Sequence, residues 1–275
     1  MSHHDFHTRA NEPLNTIQFA TTPRHLAGHG DPRHITQALR AAGWKNHSVP
    51  DYPHILLASP DHHYHLTLEP EPDTYKAAWR ITSHTPGQYW YVEFGGETPV
   101  EVLAGFTDAL IVPVPGQEPV VWQPLVAAGW AYEMDERGSE VAVAPDGIMS
   151  VSRFTTPPID AFYWKAEAAE PTGGGGHKRI WHAYFGDATP RHLIAGFTAA
   201  LASPEPVQRR RYDVPRSHLV TQEQEGPQGE QLVAEHEARL RAARASARKT
   251  RRMAALQTQP SPAAGVPAEA AVHRR

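Results

Sequence analysis

The chain has 275 residues, 26 basic and 30 acidic side chains for a formal charge of −4, 26 prolines and no cysteine. Disulfides, zinc–thiolate sites and a thiol nucleophile are thereby excluded, and no run of about 18 apolar residues is present to form a membrane-spanning helix. The charge is uneven: residues up to Gln208 sum to −10 and the remainder to +6. An acidic body with a basic tail suggests a tail for nucleic acid or an acidic partner, or one that folds back on its own body.

The opening MSHHDFHTRA has no apolar stretch to serve as a secretory signal, so a cytoplasmic protein is expected, with residues 1–15 a disordered N-terminus. Ile35, Ala38, Leu39 and Ala42 follow helical spacing, and Gly43 stops that helix. Short strands are predicted over 44–49, 54–58 and 63–69. His63 and His65 share a strand face with Glu69, which could in principle bind a metal. No further ligand is marked in the sequence, so an exposed polar face is the reading, and neither metal nor cofactor is expected. A fourth strand alternates Tyr75, Ala77, Trp79 and Ile81, and a fifth alternates Trp90, Val92 and Phe94, leaving Tyr89, Tyr91 and Glu93 outward. A second helix follows, with Thr98 as its N-cap, Pro99 in the first turn, Glu101 completing a capping box, and Leu103, Phe106 and Leu110 as the buried stripe.

The whole series then recurs. Ala41-Ala42-Gly43-Trp44 returns as Ala127-Ala128-Gly129-Trp130, Ser59-Pro60-Asp61 as Ala144-Pro145-Asp146, and Trp79 as Trp164. Residues 89–110 align without gaps on 180–201, with 11 of 22 positions identical. The second copy is predicted to have strands over 130–134, 139–144 and 147–154. Phe162, Trp164, Ala166, Ala168 and then Trp181, Ala183, Phe185 face inward; Ile180, His182 and Tyr184 face outward; Thr189 is the N-cap of the last helix and Pro190 stands in its first turn. Gly173 to Gly176 form a hairpin tip, because no phosphate-loop motif accompanies them. Gly105 and Gly196 sit inside the last helix of each copy, where Gly is costly. They mark either a crossing of the two helices or close packing of each on its own sheet.

The Ala-Ala-Gly-Trp segment, the Ser-Pro-Asp turn, the tryptophan strand and the Trp…Phe-Gly…Thr-Pro…Leu-Ala-Gly-Phe-Thr run resemble the SPDY-type domain, domain of unknown function 317. That is a streptomycete family whose members usually carry two copies. Residues 22–32 resemble its lead-in. Copy two departs at Ala144, and His62 and Gly147 stand where the motif has Tyr. The resemblance implies an actinobacterial origin and a duplicated organisation, with no activity attached. The fold class expected is α+β: two tandem α-β-β-β-β-β-α repeats with antiparallel sheets, over 16–113 and 114–203. A linker over 204–228, an isolated and largely solvated basic helix over 229–258 and a disordered tail over 259–275 follow.

No nucleophile elbow, HExxH or dinucleotide fingerprint appears, so an enzyme is the least favoured class and no catalytic residue is assigned. The leading expectation is a non-catalytic binding or scaffolding protein with a protein partner and no membrane, contacting it through outward Tyr89, Tyr91, His182 and Tyr184. The alternative is a nucleic-acid-associated accessory protein using Arg244, Arg248, Lys249, Arg251 and Arg252 of the basic helix.

Overall fold

The computed structural model describes residues 17–69, 77–156, 159–211, 213–215, 218–223 and 226–257, with side chains of 155–156 and 159–162 left aside. The predicted N-terminal segment 1–15, the tail 259–275 and Tyr75 lie outside these residues, as does the side chain of Phe162.

Each copy folds as the repeat pattern predicts. Copy one comprises α1 (Arg33–Ala41), β2 (Lys45–Asn46), β3 (Ile55–Ala58), β4 (Tyr64–Leu68), β5 (Ala77–Thr85), β6 (Gln88–Gly95) and α2 (Val100–Ile111). Copy two comprises α3 (Gln123–Ala127), β7 (Ala131–Met134), β8 (Glu140–Val143), β9 (Met149–Thr156), β10 (Ile159–Pro171), β11 (His177–Phe185) and α4 (Arg191–Leu201). β1 (Phe19–Thr22) precedes both copies. The two meanders join edge to edge through antiparallel pairing of β6 with β11, giving one sheet in the order β2-β3-β4-β5-β6-β11-β10-β9-β8-β7. The inward tryptophans and phenylalanines of both copies share one core with the helices, and the outward side chains of the central strands, such as Arg80, Tyr91, Glu93, Tyr163 and Tyr184, are half-buried or exposed.

The joint between copies is two-fold. Equivalent residues in 89–110 and 180–201 stand 91 positions apart. Glu93 pairs with Tyr184, its own equivalent, and the flanking pairs Phe94–Ala183 and Val92–Phe185 exchange under the same relation. A pseudo-dyad therefore passes through Glu93 and Tyr184. Beneath them Phe94, Phe106, Phe185 and Phe197, two equivalent pairs, are fully buried. Their ring centroids lie 5.0–6.0 Å apart in five contacts. Deeper still, α2 crosses α4 at Gly105 and Gly196. A Cβ on Gly105 would come within 2.3 Å of the Gly196 carbonyl oxygen, and one on Gly196 within 2.4 Å of that of Gly105. Of the two readings of these glycines, the crossing is the one realised.

The Phe-Gly pairs have the same origin. Gly95 lies under His182 and Gly186 under Tyr91, each ring coming from the other copy, and the space a Cβ would need is 3.3–3.5 Å from those rings. Gly186 N–H donates to the Tyr91 carbonyl (3.0 Å), extending the joint by one more bond.

Three expectations are corrected. Thr98 and Thr189 are not N-caps: their Oγ1 atoms are buried with no hydrogen-bond partner, and Pro99 and Pro190 occupy the cap positions. The Val100 N–H donates instead to the His29 carbonyl (2.9 Å) of the lead-in. Glu101 closes no capping box and turns to Arg209. Second, the span expected as linker carries β12 (Val207–Arg209) and β13 (Thr221–Glu223), which flank β1 in a small antiparallel sheet, so the start of the described chain is tied to the segment that follows copy two. Third, the basic helix α5 (Glu230–Gln257) is not isolated. Its Ala243 and Ala247 join the core beside α1 and α2. Arg239 donates to both oxygens of Asp108 (2.8 and 2.9 Å) and to the His34 carbonyl. Thr250 Oγ1 donates to the Ile111 carbonyl (2.9 Å). A seam of alanines packs closely because it has little volume, which is also why it reads as solvated in sequence.

Replacing a mid-helix glycine by alanine ordinarily stabilises a helix by about 1 kcal/mol. Here the sign reverses. Gly105→Ala is expected to destabilise the protein by about 1–3 kcal/mol or more through overpacking, read as a lowered urea midpoint.

Candidate functional site

The outward face of the sheet carries an aromatic ladder centred beside the pseudo-dyad. Phe154 of β9, Tyr163 of β10, Tyr184 of β11 and Tyr91 of β6 follow one another across four strands. Their successive centroid separations are 6.3, 5.7 and 6.0 Å, and the two tyrosine pairs are stacked at 26° and 30°. Tyr91 is 37% exposed and Tyr89 60%. A second short row runs from Tyr89 through His84 to His65. Burial, with Tyr91 and Tyr163 alongside, pushes the Tyr184 hydroxyl up to about 12, so it stays a neutral donor at ordinary pH.

The ions around this ladder are bound to one another. Arg80 contacts both Glu69 and Glu93, and Lys165 and Arg179 both contact Glu167. Glu69 is thus held by Arg80 and not by His63 and His65, and among the described residues no group of three or more His, Asp or Glu could hold a metal ion. His182 lies against Gly95 with Nδ1 buried and unpartnered; its pKa is lowered by burial and then by Arg179.

Of the four outward residues expected as a contact, Tyr91 and Tyr184 stack directly. Tyr89 lies on the same face in the histidine row, and His182 sits below the ladder against copy one. Sequence reading missed Tyr163 and Phe154. Tyr163 falls in the outward phase of the strand whose inward phase holds Trp164, and that alternation is its signal. The face is unequal across the dyad: the equivalent of Tyr91 is His182 and that of Glu93 is Tyr184. One ladder is formed per chain, and most of it lies on copy two.

Two recesses lie elsewhere. One, of about 410 Å³, is walled by the lead-in, the starts of α1 and α2, β12 and α5. Its floor is the Arg209–Glu101 pair. Arg209, 3% exposed, donates to both Glu101 oxygens and to the carbonyls of Ala27, Gly28 and Gln208. Burial would raise the Glu101 pKa, but Arg209 outweighs it and holds the carboxyl at about 2. Burial and then Arg239 bring His34 down to about 4, so it is neutral at pH 7. Arginine reads as a surface residue in an Arg-Arg-Arg run, yet the first of the three is the clasp that locks the lead-in. The other recess, between α3, the end of α4 and the lead-in, adjoins His25, whose Nε2 lies 2.7 Å from Asp146 Oδ2. The His25 carbonyl accepts from Trp181 Nε1 (2.7 Å), so this pair fastens the lead-in to copy two.

Fold and face together define a duplicated α+β protein: two half-sheets fused across a pseudo-dyad, with an aromatic surface and no helix among the described residues long and apolar enough to cross a membrane. The family model of the SPDY domain, a domain of unknown function (DUF317), matches twice, over residues 58–115 and 143–207, and the chain is a tandem SPDY-domain protein. Each match ends just beyond the helix that crosses at the dyad, and both include the Phe-Gly pair and its glycine crossing. No curated protein and no solved structure matches the chain.

Arg209→Met is expected to cost about 3 kcal/mol, because it removes the partner of the half-buried Glu101, 22% exposed, and the donor to the Ala27 and Gly28 carbonyls. The Glu101 contribution is complete above about pH 4.5 and lost as pH falls toward 2. Urea unfolding across that window checks both; the acid-side loss should be smaller in Glu101→Gln, in which Asp61, Glu140, Asp146 and Glu167, also held low by their partners, still titrate.

Proposed function

We propose that this protein is a non-catalytic binding or scaffolding protein whose outward sheet face receives a protein partner. The observation that carries the reading is the Tyr91–Tyr184–Tyr163 stack, extended by Phe154, in which Tyr91 is exposed and the other three rings are half-buried among the described residues. Tyrosines supply large, rigid contact area with few rotamers to freeze, and they dominate measured interface energies. Single-stranded nucleic acid also stacks on aromatic sheets, but such sites add a positively charged groove for the backbone. Here Arg80, Lys165 and Arg179 are already bonded to carboxylates, which favours a polypeptide.

The test is capture from native lysate with wild type and with Tyr91→Ala/Tyr184→Ala, each with and without nuclease. A partner held through this face survives nuclease and is lost with the double variant, each truncation costing about 2 kcal/mol of affinity. The same proteins recovered by both chains would refute the reading.

A further inference from the structure

Seven cations lie on α5 between Arg239 and Arg252, and the fold uses them unequally. Arg239 is held by Asp108, and Arg241 lies 3.6 Å from Glu237 one turn earlier. Arg244, Arg248, Lys249, Arg251 and Arg252 are exposed, and none forms an ion pair with a described carboxylate. At about 100° per residue, Arg244, Arg248, Arg251 and Arg252 fall within one arc of about 100°, and they extend over about 12 Å of helix. The arc borders the Ala243–Ala247 seam. Because that seam and the Thr250–Ile111 bond anchor the helix, the cations form a fixed row. The row also continues onto the body. The Arg251 guanidinium lies over Gly43, 3.2 Å from where a Cβ would stand, and exposed Arg40 and Lys45 flank Gly43 in the chain.

We infer that this track, from Arg244 along α5 to Arg40 and Lys45, is a contact surface for the sugar–phosphate backbone of nucleic acid. It is separate from the tyrosine face and does not depend on it. A row of single charges suits a polymer that carries one charge per unit, and a contact to the backbone is independent of base sequence. A bilayer would need bulky apolar side chains to bury beside the cations. From Arg244 onward the arc offers no apolar residue but alanine, and the exposed Met253 and Leu256 fall outside it. The acids of α5, Glu230, Glu235 and Glu237, stand at its other end. The acidic body repels a polyanion elsewhere, which confines the approach to this side.

The full chain is titrated with fluorescein-labelled duplex DNA by anisotropy over a series of NaCl concentrations. Arg244→Ala/Arg248→Ala/Arg252→Ala is compared with Arg137→Ala, an exposed cation on a turn of copy two. Circular dichroism checks that helix content is kept. Wild type and Arg137→Ala should bind alike, with affinity falling steeply as salt rises. The triple variant should bind more than about tenfold more weakly at low salt, with a log–log salt slope shallower by about 2.7, or about 0.9 for each cation lost. No DNA binding by wild type, or equal affinity and slope in the triple variant, would overturn the inference. So would binding to phosphatidylserine-containing vesicles without binding to DNA, which would assign the track to a lipid surface.

Discussion

Two helix backbones touch at Gly105 and Gly196, and the rest of the molecule is arranged around that contact. A Cβ at either position would fall inside 2.5 Å of the opposing carbonyl oxygen, so no other residue permits the crossing. With α2 and α4 this close, the four phenylalanines fill the space between helices and sheet as two equivalent pairs. The sheet above them pairs in the register that sets Glu93 opposite Tyr184. The duplication therefore builds two halves of one core, since the inner edge of each half-sheet finds its partner in the other copy.

The binding surfaces follow from departures from that symmetry. Tyr184 stands where copy one has Glu93, and a tyrosine there reaches both Tyr91 and Tyr163. His182 stands where copy one has Tyr91, and it is drawn down against Gly95. The chain ends add a further asymmetry. The lead-in is fastened to copy two through His25 and Asp146, whereas α5 lies on the helices of copy one. Arg209 ties the lead-in and the returning chain to α2.

Local chemistry was legible in the sequence and long-range closure was not. Helices, strands and the inward tryptophans followed from spacing, because period and burial are local properties. The paired glycines raised the crossing, but its choice over packing on the sheet depends on a contact between helices 91 positions apart in the chain. The β6–β11 junction leaves no local mark, since an inner edge and an outer edge read alike. The Thr-Pro signal at residues 98–99 misled because the His29 carbonyl of the lead-in, far back in the chain, accepts from Val100 N–H and satisfies the helix start. Docking of α5 was hidden because alanine serves both as helix former and as close-packing surface. Of the candidate face, Tyr91 and Tyr184 were visible as outward residues, whereas their stacking with Tyr163 depends on the order of strands.

The central claim is that the two SPDY repeats share one core. Urea unfolding of the full chain, followed together by tryptophan fluorescence and far-ultraviolet circular dichroism, tests it most directly, because tryptophans report from both copies. A single transition with coincident midpoints is predicted. Two separated transitions, one for each repeat, would contradict it.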